Sequence, residues 1–141
     1  MDIFPPAQQR PALLALEHAL DTSHLALRRD GCGDWSIMGE AGHIYAVPDG
    51  QYQIVVIRET PIGWTYAKRD FAAIGARLQN DGDMEGTAFI TGLPNPAEAA
   101  IIRKLIHVRQ RRHVSDAERE RLGRLSAEIK FRGLSEGGFA A

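Results

Sequence analysis

The densest cluster of chemistry-bearing side chains is Arg103-Lys104-Leu105-Ile106-His107-Val108-Arg109-Gln110-Arg111-Arg112-His113, with five Lys/Arg and no acid. Guanidinium groups at this density suit phosphate and carboxylate oxygens, through charge-assisted and often bidentate hydrogen bonds. Each phosphate neutralised also releases counterions and adds affinity. With a helical step of 100° per residue, Arg103, Lys104, His107 and Arg111 share one side, opposite Ile101, Ile102, Leu105, Ile106 and Val108. Arg109 and Arg112 would project from the apolar side, so the packed helix is expected to end near Val108. No aromatic residue interleaves the cations, which argues against base stacking. A helix-turn-helix arrangement would set Asp116 and Glu118 of the next segment against phosphates. The expected contact set is therefore Arg103, Lys104, His107, Arg109, Arg111 and Arg112, and the expected partner is nucleic acid or an acidic protein surface. The competing use of the same charges is internal, in ion pairs with the acidic part of the chain.

A second arrangement joins Cys32, Asp34 and His43, near glycine turns. A thiol nucleophile needs an adjacent base and an orienting polar group. A hydrolase-like site of this kind is the enzymatic alternative, although no local signature surrounds the cysteine. Asp81-Gly82-Asp83-Met84-Glu85-Gly86 has the opening of a calcium loop, but the twelfth position is Gly92 and its flanks read as strands. His18, His24, His43, His107 and His113 form no zinc spacing. Gly31-x-Gly33 lacks the third glycine of a dinucleotide fingerprint, and no phosphate-loop motif exists. No metal and no cofactor is expected.

The elements that would position these groups follow from periodicity. Leu13, Leu16, Leu20, His24 and Leu27 recur at helical spacing after Pro11. Asp21-Thr22-Ser23 interrupts them, so residues 21–29 read equally as continued helix or as a turn followed by a strand. Trp35–Met38, His43–Val47 and Tyr52–Ile57 read as strands, the last two joined across Asp49-Gly50 as a hairpin. Thr60-Pro61 opens a helix over 61–72. Strands are expected over Ile74–Gln79 and Thr87–Thr91, before the basic helix. Ser115 with Glu118 then makes a capping box for a last helix, whose apolar stripe, Leu122, Leu125 and Ile129, is thin and suits oligomerisation. Strand-rich and helix-rich stretches are segregated, which predicts an α+β domain over 1–132. It would hold a mainly antiparallel sheet of about five strands with an N-terminal helix, one inserted helix and two C-terminal helices, followed by a flexible tail over 133–141.

Leu27-Arg28-Arg29-Asp30, Gly33-Asp34-Trp35, Gly42-His43-Ile44-Tyr45-Ala46, Gln79-Asn80-Asp81-Gly82-Asp83-x-Glu85-Gly86 and Leu93-Pro94 through Ile102-Arg103 form a pattern over about residues 26–113. In this pattern the chain resembles an uncharacterised family of small bacterial proteins. The resemblance implies a bacterial cytoplasmic protein and carries over no catalytic or binding residue.

Composition bounds the remaining classes. The chain has 141 residues, 44% of them hydrophobic and 25% charged, close to ordinary globular domains. A chain of this length buries roughly 68–70% of its unfolded surface and needs no staples. Its single cysteine fits a reducing cytoplasm, and neither a signal peptide nor a membrane span is expected. The net charge of -1 conceals a gradient, with -5 over residues 33–100 and +6 over 101–132. These features favour a non-enzymatic binding or regulatory module.

Overall fold

The computed structural model describes residues 4–112 and 115–138. His113 of the basic stretch, the N-terminal residues 1–3 and the last three residues of the expected tail lie outside them. The chain divides into two compact units, Met1–Arg111 and Arg112–Ala141, where one domain to residue 132 is expected from the sequence.

The first unit is an α+β fold. Helix α1 (Pro6–Leu20) opens on proline and ends at Asp21, whose φ of 56° terminates it in the left-handed region. A 3₁₀ turn, His24–Ala26, leads into β1 (Leu27–Arg29). The interruption at Asp21-Thr22-Ser23 is thus a true helix end, and of residues 21–29 only Leu27–Arg29 form a strand. Strands β2 (Trp35–Met38), β3 (Gly42–Val47) and β4 (Gln51–Ile57) follow. Positive φ at Asp49 (67°) and Gly50 (70°) reverses the chain between β3 and β4, as the Asp-Gly pair predicts.

Helix α2 (Pro61–Ala73) is capped by the Thr60 hydroxyl, which accepts from the Gly63 amide at 3.0 Å. Next come β5 (Arg77–Asp81), β6 (Glu85–Thr91) and α3 (Pro96–Ile106). Asn95 and Glu98 form a reciprocal capping box at the start of α3. The six strands pair antiparallel throughout, in the order β1-β2-β3-β4-β6-β5. The sixth strand, beyond the five expected, is β1.

Alternation along β3 and β4 puts Ile44, Ala46, Tyr52, Ile54 and Val56 on one face, all buried. Against them pack Leu13, Leu16 and Leu20 of α1, Trp64, Ala67 and Phe71 of α2, and Ile102, Leu105 and Ile106 of α3, as one core. Removal of this much apolar surface from water is what holds the unit together. All three helices of the unit therefore cover the same face of the sheet.

In the second unit α4 runs from Asp116 to Gly138, through part of the expected tail. The Ser115 hydroxyl accepts from the Glu118 amide at 3.2 Å, as the capping pattern predicts. Leu122, Leu125 and Ile129 are 40%, 45% and 70% exposed, so the apolar stripe is unburied. Among the described residues no helix is long and apolar enough to cross a membrane.

Candidate functional site

The six expected contact residues do not form one surface. Helix α3 stops at Ile106, because His107 takes a left-handed φ of 53° and turns the chain. The expected continuous side running from Arg103 to Arg111 is broken there. Beyond the turn the chain runs beside the end of α1, with Gln110 bridged antiparallel to Thr22. Arg111 is held by three groups of that end. Its amide donates to the Asp21 carbonyl, its Nε to the Thr22 carbonyl at 3.3 Å, and its Nη2 to Glu17 Oε1 at 3.2 Å. Arg103 donates from Nη1 to the Leu20 carbonyl at 2.7 Å, satisfying an acceptor that α1 leaves open at its C-terminus. Lys104 lies 3.5 Å from Asp70 but is 73% exposed, a pairing that contributes little to stability. Within the second unit Arg112 pairs with Glu118 at 3.2 Å.

Arg109 is different. Its guanidinium has no ion pair or side-chain hydrogen bond among the described residues, and it lines a groove of about 460 Å³. The floor is apolar, from Leu25, Ala26, Met38 and Val108. Leu25 is 68% exposed and Met38 40%, unusual for side chains of this size. Arg28, His107 and Arg109 supply positive or titratable groups around it, and Glu40 the one carboxylate. Arg28 is steadied by a bond from its Nε to the Leu25 carbonyl at 3.2 Å. The His107 turn is pinned to the opposite wall, since the Glu40 amide donates to its carbonyl at 3.2 Å. A neighbouring depression of about 540 Å³ shares Glu40 and His107 and adds Ile57, Arg58 and Thr60. Burial lowers the Arg58 pKa, and the nearby Asp70 carboxylate opposes that shift.

Cys32, Asp34 and His43 are not joined to one another by any hydrogen bond. Cys32 is exposed in the β1–β2 turn, where its amide donates to Asp30 Oδ1 at 2.9 Å. Asp34 accepts from Gln9 Nε2 at 2.9 Å, which directs it toward α1. His43 stands on β3 opposite Met38 and packs edge-on to Tyr45, with ring centroids 5.0 Å apart. Burial lowers the His43 pKa below its usual 6.5, partly countered by Asp30. The unfolded chain therefore takes up a proton near pH 6.5 that the folded chain resists, so this histidine makes stability fall on acidification. A His43→Phe variant is expected to show a shallower loss of stability between about pH 7 and 5.5 in denaturant titrations. An identical slope in both proteins would remove His43 from the acid response.

Asp81, the first residue of the calcium-like loop, is committed elsewhere. It accepts from Trp64 Nε1 at 2.7 Å and from Lys68 at 3.3 Å, and these bonds lower its pKa. Among the described residues no group of three His, Cys, Asp or Glu side chains is placed to hold a metal ion.

Leu25, Arg28, Met38 and Glu40 are the groove residues that sequence reasoning missed. They come from the 3₁₀ turn, β1, and β2 with its following turn, so no local spacing links them to Arg109. The exposed leucine beside a turn was the one available signal. No family model matches the chain, and no curated protein matches it either.

Proposed function

We propose that this protein is a non-enzymatic binding module of the bacterial cytoplasm that takes an acidic protein segment into the groove beside Arg109. The observation that supports it is a guanidinium without a partner among the described residues, set with Arg28 and His107 over an exposed apolar floor. An extended or helical segment with a leucine-like side chain next to a carboxylate matches both parts: the floor takes the apolar group and Arg109 the charge. Such a charge-assisted bond is worth roughly 1.5–3 kcal/mol.

Nucleic acid fits less well. Arg103 and Arg111 are bonded to α1, which interrupts any track of free cations along a backbone. Specific nucleic-acid binders of moderate affinity commonly make about 6–10 phosphate contacts.

Fluorescence anisotropy tests the reading with two probes, a labelled peptide of alternating leucine and glutamate and a labelled oligothymidylate. The peptide is expected to bind, and Arg109→Ala to weaken it about tenfold. Equal peptide binding by both proteins, or binding of the oligonucleotide alone, would sink the proposal.

A further inference from the structure

We propose that the face of the sheet opposite α1, α2 and α3 is a homodimer interface. Helices α1, α2 and α3 all pack on the other face, and the residues that alternate with the core point away from them. Pairing register sets His43, Val55 and Thr87 in one row across β3, β4 and β6, and Tyr45, Gln53 and Phe89 in the next. All six are half-buried by their neighbours and none carries a formal charge at neutral pH once the lowered His43 pKa is considered.

Three observations fit this face to a second copy. The first is that two of its polar side chains, Gln53 and Thr87, are already partnered. Gln53 Nε2 donates to Gln79 Oε1 at 3.0 Å, and the Thr87 hydroxyl donates to the same oxygen at 3.1 Å. Desolvating such a network leaves few unmet donors or acceptors, whereas a polar ligand would find little to bond. The second is the distribution of charge. Arg77, stacked over Phe89 at 5.4 Å, and Glu85 lie on the rim, with Arg28 at the far edge. Two identical faces can therefore meet without like charges at the centre, and an uncharged centre with aromatic side chains inside a charged rim is how protein interfaces are built. The third is size. Five strands, β2 to β5 in sheet order, offer roughly 500 Å² of projected face, from about 4.8 Å spacing and 3.4 Å rise. Two such faces bury roughly 1,000 Å² before side-chain relief is counted, the level a specific interface must clear. Sheets packed this way align within about 30°, in a sandwich roughly 10 Å thick.

Sedimentation velocity of the full chain at increasing concentration tests the assignment. The expected result is a species of twice the monomer mass, with Val55→Lys raising the dissociation constant at least about a hundredfold while circular dichroism stays native. Tyr45→Arg serves the same purpose should Val55→Lys not fold. Arg109→Ala is expected to leave the dimer intact, since Arg109 lines the groove and is not among the residues of this face. A wild-type chain that remains monomeric would overturn the proposal, and so would a dimer that survives in folded Tyr45→Arg. A dimer lost only in Leu125→Glu/Ile129→Glu would place assembly on α4 instead and equally overturn it.

Discussion

Replacing Arg111 with alanine is expected to lower the stability of the first unit by about 3 kcal/mol, at the low end for breaking a buried pair because Glu17 is buried while the Arg111 side chain is 44% exposed. The effect comes from what is left behind. Glu17 is 3% exposed, and its Oε2 has no hydrogen-bond partner among the described residues. Among the described residues its one ion pair is with Arg111, at 3.2 Å through Oε1. Removal of the guanidinium leaves a carboxylate in a site water reaches poorly, and frees the carbonyl of Thr22 as well. Urea denaturation should show a lower midpoint at unchanged slope. The double variant Glu17→Leu/Arg111→Ala should recover most of the loss, because the stranded charge is gone. A single variant as stable as wild type would show the pair to be incidental and return Arg111 to the pool of cations free for a ligand.

Gly86→Ala should cost a similar amount, about 3 kcal/mol, for a steric reason. A Cβ at this position of β6 would run into the Trp64 ring and the Asn80 carbonyl oxygen. Neither neighbour is free to give. Asn80 belongs to the paired strand β5. Trp64 is 2% exposed, bonded through Nε1 to Asp81, and packed edge-on to Phe71 with centroids 6.2 Å apart. Overpacking of this kind commonly costs about 1–3 kcal/mol, and a contact with backbone puts this site at the upper end. Thermal unfolding followed in the near-ultraviolet, where Trp64 reports, measures it. Trp64→Leu in the Gly86→Ala background should be less harmful than in the wild type, since the two residues share one space. An unshifted transition in Gly86→Ala would mean that the sheet relaxes there at no cost.

The cationic stretch illustrates how far sequence reasoning reaches toward the site. Density of charge was legible, and so was the apolar arc of α3, because both depend on residues within a few positions of one another. Which cation stays free was not. Arg103 meets the Leu20 carbonyl and Arg111 meets Glu17 across separations of 83 and 94 residues. His107 adds a further cause, since a left-handed residue that is not glycine leaves no strong mark in the sequence.

The hairpin at Asp49-Gly50, the cap at Thr60 and the segregation of strands from helices were determined by the sequence alone. Each rests on local sterics or on a repeat of two or 3.6 residues, which act before the chain has folded. Tertiary structure decided the rest: that β1 joins the sheet, that α1, α2 and α3 crowd one face of it, and that Arg109 faces a groove. Those outcomes depend on pairing between distant segments, where the apolar area buried and the charges matched are properties of the packed molecule rather than of any stretch of it.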